Sequence, residues 1–535
     1  MKTSSLRAPI DLSVGLAVSM VVVTALTGCS GSAGKSTSAA AQAVASAPVP
    51  APAPSPAPAP GPVPVSSPTP VPSPSTAPTP APSPTPAPVP VPVPGRAVDN
   101  DPAWYTTPTV AGLGLRTIRV TPGASPTLVE AIASAQAGDV IELATGTHTS
   151  GAKNLIMTRS GTAAHWIAVR AAAGASPKLD LGGGGELRIS GSFVLLEGVE
   201  VMNGGGNLVH VAPTSGHGSV SNVIVRGCKV HSLLKGVGAA VKINSDNSFT
   251  ASCSYVYVED CDLTGAIGNS TLDCVAVSRC VARGNDIHDN PSGMQGLFYK
   301  GGSSDILLEK NLVRGVRGNA AFQLGGDAEV PYFTPEHPGQ EGVGYVVRNN
   351  VIADCNDSVF EVRGIDGAKI YHNTVIAQTS YVIFRFQYGK TAFGPVTTTS
   401  DGRHFGAASS NFNIDAANNL VISTSGTPRF AANDANAGAF SFGPHLWCGT
   451  FNHVAGNGVP SFPRAQDLAV AADASGTLVH SASYSALTGL ADAQARYSLR
   501  SSSAAQGAGE PNTVAPQDML DQGRSATAPS MGAFE

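Results

Sequence analysis

The chain reads as an all-β protein: a single right-handed parallel β-helix, opened by a short capping helix and carried on a disordered proline-rich tether. Three observations predict this. From residue 220 onward one phrase recurs, a short β-rich run, then Asn or Cys, one further residue and a branched aliphatic, as in Val223 to Val230, Val256 to Leu263, Ile306 to Val313 and Ile370 to Val375. The recurrences lie 24 residues apart from Cys261 to Asn285, 26 from Asn285 to Asn311 and 23 from Asn350 to Asn373. A repeat of that length built from short strands is one coil of a β-helix. The composition agrees: 60 glycines, 6% aromatic residues and few stretches with a 3.6-residue period.

The elements follow in order. Lys2 and Arg7 precede an apolar run from Leu12 to Leu26, short for a membrane span, that ends in Leu26-Thr27-Gly28-Cys29. That ending resembles the lipobox of bacterial lipoproteins. The resemblance implies a signal peptide over residues 1–28, cleavage before Cys29, and lipidation of Cys29 as the membrane anchor. Ser30 in place of aspartate implies export to the outer membrane or cell surface; an ordinary signal peptide with a chance cysteine is the alternative. Residues 29–95 form a linker in which nearly every second residue from Pro48 to Pro94 is proline. Such a segment lacks backbone donors, builds no core, and in polyproline II extends on the order of 140 Å. Residues 96–535 then form one β-helix domain with its C-terminal cap, because a solenoid grows along one axis instead of dividing into domains.

Within that domain Thr127-Leu128-Val129-Glu130 has the form of a capping box and opens an amphipathic segment that ends at Gly138-Asp139, a short helix suited to plugging the first coil. Early coils include Val140 to Leu143, Trp166 to Val169 and Phe193 to Leu196. Asn285, Asn311, Asn350 and Asn373 should stack in one bend column, since asparagine tolerates left-handed backbone angles and its amides can bond along the axis. Past Phe430 the pattern decays, so Trp447, Cys448 and the final segment are expected as last coils or a cap. Cys253, Cys261, Cys274 and Cys280 lie close enough in sequence to suggest one or two disulfides, whereas Cys228 and Cys261 share a column and read as stacked buried thiols.

A net charge of −5 argues against a nucleic-acid partner and against broad attraction to an acidic polymer, so any anion site must be local. Nothing in the sequence calls for more than a monomer.

Two passages, Ala137 to His148 and Ser160-Gly161-Thr162 through Pro177-Lys178-Leu179, resemble the opening coils of the pectate-lyase-like superfamily, which includes pectate lyases, alginate lyases and chondroitinase-type enzymes. Phe298 to Ile306 and the closing Met531 to Glu535 resemble bacterial right-handed β-helix proteins. The resemblance implies the fold and a polysaccharide partner. It does not select a substrate, because the scaffold hosts lyases, hydrolases, epimerases and binding proteins.

After each bend a second strand is expected: Val241 to Ile243, Val275 to Val277, Leu297 to Lys300, Ala321 to Leu324, Val359 to Val362 and Val382 to Phe386. Alternation places Lys242, Gln323, Glu361 and Arg385 outward on one sheet face, a polar stripe fit for a linear polymer. An ordinary solvated face is the alternative. Lys300 shares its face with Phe298, so whatever buries Phe298 also buries Lys300 unless the Gly301-Gly302 turn swings its ammonium out. Insertions rim the stripe at residues 326–344, with Tyr332, Phe333, Glu336 and His337, and at 389–411, with Arg403 and His404.

Lyases of the resembled superfamily remove the proton beside a uronate carboxylate with a Lys or Arg base, and neutralise the carboxylate with calcium or with basic and amide groups. Carried onto this chain, Lys300 is the base and Arg385 and Gln323 hold the carboxylate, with Lys242, Glu361 and Arg363 binding substrate around them. Calcium is a candidate cofactor, with Glu361, Asp327, Asp357 and Asp366 as oxygen donors, although none lies in a recognisable calcium loop. Residues 297–390 carry nine Lys plus Arg against ten Asp plus Glu, so the region is not a basic trough. A hydrolase needs paired carboxylates, which do not accompany Gly216-His217-Gly218. A non-catalytic, stalk-borne glycan-binding protein fits the tether equally well.

Overall fold

The computed structural model describes residues 102–535 apart from 107, 152, 235–237, 247–250, 291–292, 327, 329–331, 335–336, 338, 378–381, 390–396, 399–403, 406–409, 434–439, 453–464, 471–477 and 513–514. The signal segment, Cys29, the tether, Asp327, Glu336 and Arg403 lie outside the described residues. All described residues belong to one compact unit, Thr85–Glu535.

Three parallel sheets run the length of that unit. Sheet 1 has twelve strands from Arg116–Val120 to Phe440–Phe442, sheet 2 has twelve from Gly146–Thr149 to Leu468–Val470, and sheet 3 has ten from Leu155–Met157 to Arg429–Asn433. The chain visits them in rotation, for example Val220–Arg226, Lys229–His231 and Val241–Asn244 before returning to sheet 1 at Cys253–Glu259. This is a parallel β-helix, and parallel crossovers of this kind are right-handed in nearly all proteins. The small helix Leu128–Ala133 opens it with the expected capping box, Thr127 with Glu130, and buries Leu128, Ala131 and Ile132 in the core.

The bend between sheets 1 and 2 holds the asparagine column. Asn285 Nδ2 donates to Asn311 Oδ1, Asn311 to Asn350, Asn350 to Asn373 and Asn373 to Asn419, each at 2.9–3.0 Å. The same oxygens accept the backbone N–H of the preceding asparagine, so each buried amide satisfies the coil before it. Asn419 and His445 extend the ladder at one end, and Cys261 and Cys228 extend it at the other. Cys253, Cys261, Cys274 and Cys280 were expected to form one or two disulfides, and Cys228 and Cys261 to stack as buried thiols, which they do. The disulfides do not form: all seven described cysteines are free and buried, including Cys253, Cys261, Cys274 and Cys280, and burial pushes the Cys280 and Cys355 thiols up to about 12. They act as small core residues.

Terminal segments cover two of the three outer faces. On sheet 1 the outward row Val140, Ala168, Leu195, Ile224, Tyr257, Val281 and Leu307 is apolar and buried. Trp104, Tyr105, Val110, Ala111 and Leu113 pack on it. On sheet 2 the outward residues Leu312, Val351, Ala353, Ile376, Leu420 and Leu446 pack against Leu478, Leu487, Tyr497, Met519 and Phe534. Trp447 and Cys448 do lie in a late coil, Leu446–Cys448, but the final segment sheathes a side of the solenoid and does not simply close its end. Among the described residues, neither terminal segment packs on the outer face of sheet 3.

Beside the apolar row of sheet 1 runs a second outward row, two residues further along each strand. Strand register places Arg119, Glu142, Arg170, Glu197, Arg226, Glu259, Arg283, Glu309 and Arg348 opposite one another in that order, alternating in sign on nine consecutive coils. Ion pairs follow the register: Arg170 with Glu142 at 3.0 Å, Arg226 with Glu259 at 2.8 Å, Arg348 with Glu309 at 2.6 Å and Arg283 with Glu309. Burial penalises the Glu309 carboxylate, but Arg348 and Arg283 outweigh it and hold that carboxyl down at about 2.

Candidate functional site

The outward rows of sheet 3 follow from strand register. One row reads Ile156, Arg188, His210, Lys242, Asp273, Phe298, Gln323, Glu361 and Arg385 on successive coils. A second, two residues on, contains Asn244, Val275 and Lys300, and further along pairs Gly325 with Arg363 and Arg363 with Gln387. The predicted stripe of Lys242, Gln323, Glu361 and Arg385 is therefore one column. Behind it, Phe322, Phe360 and Phe384 stack inside the solenoid at 5.6 and 5.3 Å and fix the strand spacing.

Lys300 and Phe298 do share a face, and it is the outer one. The Lys300 ammonium lies 4.7 Å from the Phe298 ring centroid, while that ring is capped by the backbone of Gly326 and is only 7% exposed. The turn after Lys300 needs two glycines. Gly301 and Gly302 have φ of +70° and +75°, and a Cβ on Gly301 would fall 2.1 Å from the Tyr332 carbonyl oxygen. Buried Glu341 ties the turn down, its carboxylate accepting from Gly301 N at 3.2 Å and Ala328 N at 2.9 Å. Thr334 N donates to the Gly301 carbonyl. Phe333 is buried and packs the 326–344 insertion onto the sheet, whereas Tyr332 is exposed.

Several predicted contact residues turn out to support others. Gln323 is 2% exposed, accepts from Gln295 Nε2 at 2.5 Å and donates to the Gly325 carbonyl, so it braces the strand and does not present its amide to a ligand. Glu361 is 3% exposed and lies 3.5 Å from Arg363 and 3.9 Å from Arg385, which also donates to Asp357 at 2.9 Å. Lys242 is paired with Asp273. Lys300 is the cation of this face that no carboxylate pairs with among the described residues.

Of the calcium donors, Glu361, Asp357 and Asp366 lie within the described residues, and these three do not gather around one point. Glu361 and Asp357 both face Arg385, and Asp366 lies on sheet 1, where it accepts from Asn413. Among the described residues no three His, Cys, Asp or Glu side chains gather as a metal set. The Gly216-His217-Gly218 turn is an exposed loop before Val220–Arg226.

Sequence reasoning missed Arg188, His210 and Asp273. Arg188 pairs with Glu186 at 3.5 Å, and His210 bridges Glu186 at 3.1 Å and Asn244 at 2.6 Å. Burial opposes ionisation of Glu186, but the His210 hydrogen bond and the charges of His210 and Arg188 hold its carboxyl below the usual range. Asp273 was lost to a frame error. Val275-Ala276-Val277 reads as a strand, yet the sheet 3 strand is Leu272–Val275 and Val277 already begins the next strand of sheet 1. The signal was present as apolar–polar–apolar triplets, Leu187-Arg188-Ile189, Val209-His210-Val211 and Leu272-Asp273-Cys274, in register with Val241-Lys242-Ile243.

No family model and no curated protein matches the chain. Among solved structures it is similar to the pectate lyase Pel9A, with 17% identity over 79% of this chain and 97% of that one and a TM-score of 0.49. It is also similar to a rhamnogalacturonan lyase, with 14% identity, 61% and 87% coverage and a TM-score of 0.44. An alginate lyase from Paenibacillus sp. str. FPU-7 has 15% identity, 67% and 100% coverage and a TM-score of 0.31. At these values no residue role or substrate passes from them to this chain. The fold stands on the three parallel sheets themselves.

Proposed function

We propose that this chain is an exported polysaccharide lyase, anchored at the outer membrane or cell surface through Cys29 and held off it by the proline-rich linker, that cleaves a uronate-containing polysaccharide by β-elimination on the outer face of sheet 3. One observation carries the reading. Of the three outer faces, two carry an apolar row onto which a terminal segment packs, and the third bears a column of mostly polar groups with Lys300 beside it, lacking a carboxylate partner among the described residues. The lyases named above are consistent with this use of the fold.

The difficult step is removing the proton beside a carboxylate, since the resulting carbanion must be neutralised as it forms. Lys300 first gives its own proton to solvent and then takes the C5 proton; the electron pair forms the C4–C5 double bond, the bond from C4 to the glycosidic oxygen breaks, and that oxygen is protonated by solvent. Arg363 and Arg385 face the substrate carboxylate, with Glu361 behind them fixing both guanidinium groups. Glu341 and the two glycines hold the Lys300 turn. Gln323 serves as a brace and Lys242 as an outlying contact, and no step is assigned to calcium.

The test is ultraviolet absorbance from unsaturated uronide during incubation with a panel of uronate polysaccharides. Absorbance that grows with the wild-type protein and vanishes with Lys300→Ala supports the reading. Retention of polymer without any unsaturated product would make the protein a stalk-borne glycan receptor instead.

A further inference from the structure

The charges of sheet 3 say which uronate polymer fits, an inference that rests on the polysaccharide reading just given. Five cations line this face among the described residues: Arg188, Lys242, Lys300, Arg363 and Arg385. Four are already matched, Arg188 by Glu186, Lys242 by Asp273, Arg363 by Glu361, and Arg385 by Asp357 and Glu361. Lys300 is the one of the five whose ammonium no carboxylate pairs with among the described residues, and the nearby buried Glu341 carboxylate is taken up by the backbone N–H groups of Gly301 and Ala328. His210, the remaining titratable group in the column, has the Glu186 carboxylate on one ring nitrogen and the Asn244 amide oxygen on the other.

A homopolyuronate lying along this face brings a carboxylate with every sugar. Coils repeat about every 4.8 Å, comparable to a sugar ring, so its carboxylates would pass Glu186, Asp273, Asp357 and Glu361 as well as Lys300. Only at Lys300, with the Arg363 and Arg385 guanidinium groups beside it, is the encounter favourable, and like charges brought together discriminate strongly against the wrong partner. The Arg188 to Asp273 half of the column asks for something else: its cations Arg188 and Lys242 already have Glu186 and Asp273 beside them, so a neutral sugar crosses it without bringing a further negative charge.

We infer that the substrate is a heteropolysaccharide in which single uronate residues are separated by neutral sugars, the uronate seated at Lys300 and Arg363 and neutral sugars crossing Asp273, Lys242 and His210.

The full-length protein is assayed for cleavage, and for retardation in polymer-containing gels, with two homopolyuronates, polygalacturonate and polymannuronate, and two alternating copolymers, hyaluronan and a galacturonate–rhamnose chain. At least one copolymer should exceed both homopolymers by about tenfold or more, in kcat/KM or in retardation. Raising the salt should narrow that ratio as the carboxylate repulsion is screened. Asp273→Asn should narrow it as well by removing one repelling charge, while Asp521→Asn, paired with Lys310 away from this face, should leave it unchanged. Homopolymers handled as well as or better than both copolymers would overturn the inference and leave the lyase reading standing. If nothing is cleaved the lyase reading fails, and retardation alone still decides the polymer preference. Binding to none of the four would overturn both.

Discussion

Two columns of charge climb this solenoid at the same spacing, and they are built differently. The column on sheet 1 alternates Arg and Glu without a break from Arg119 to Arg348, so each charge has its complement one coil away. The column on sheet 3 runs Arg188, His210, Lys242, Asp273, Phe298, Gln323, Glu361, Arg385, and its partners come as much from side positions such as Glu186 and Asp357 as from the neighbouring coil. The first is a self-satisfied structural ladder. The second has an aromatic and an amide interrupting it and leaves Lys300 over. Since both experience the same geometry, strict alternation marks what holds the coils together, and the departure from it coincides with the face proposed to bind the polymer.

The first and largest prediction breaks the sheet 3 side. Lys300→Ala should lower lyase turnover about a hundred- to ten-thousand-fold with unchanged thermal stability, as measured by product absorbance and calorimetry. Equal turnover would remove Lys300 as the base. On the sheet 1 side, Glu309→Gln should cost about 3–5 kcal/mol in denaturant unfolding, because it strands Arg283 and Arg348 around a buried site. Its pH dependence has a definite sign. The folded carboxyl sits near 2, below its unfolded value, so its contribution is present above about 4.5 and is lost as the pH falls toward 2. Unfolding of the two proteins should converge in that window, and parallel curves would refute the pairing.

Asn350→Ala should cost about 3 kcal/mol, since Asn350 Oδ1 accepts from Asn311 twice and Nδ2 donates to Leu308, Arg348 and Asn373. A loss below about 1 kcal/mol would show that the ladder is incidental. A smaller effect concerns the C-terminal sheath. His372 is fully buried, its Nδ1 facing the Ser530 carbonyl while Nε2 accepts from the Asn418 and Asn512 amides, and burial together with Arg524 keeps its pKa well below the ordinary value. Such a group stabilises the fold above its unfolded pKa of about 6.5 and loses that contribution as the pH falls below it. Hydrogen exchange over 510–535 should therefore quicken under mild acid, and His372→Gln should flatten the change. At the far end of the ladder, Arg119→Ala should lie within about 0.5 kcal/mol of zero, because its side chain is 85% exposed.

The fold was legible because a repeat multiplies a weak signal. Asn285, Asn311, Asn350 and Asn373 fall in one column as their spacing predicts, and the capping box at Thr127 forms. The candidate site was legible only in part. Outward residues on long second strands, such as Lys242 and Arg385, were found from alternation. Asp273 was missed because Cys274-Val275-Ala276-Val277 is apolar throughout and hides where one sheet ends and the next begins. The Arg–Glu ladder escaped notice for another reason: its members are some 23 to 39 residues apart, and their alternation appears only once strand register is known. Cysteine proximity in sequence misled, because neighbouring strands in a solenoid point successive cysteines into different parts of one core.

The most direct test of the contrast is to map a bound uronate oligosaccharide by hydrogen exchange on the Lys300→Ala protein, where it is not consumed. Protection confined to the sheet 3 strands Gln295–Lys300, Ala320–Gly325 and Ser358–Arg363, with the sheet 1 strands Cys253–Glu259 and Ser303–Glu309 unchanged, is the predicted result. Protection along the sheet 1 ladder, or none on sheet 3, would contradict it.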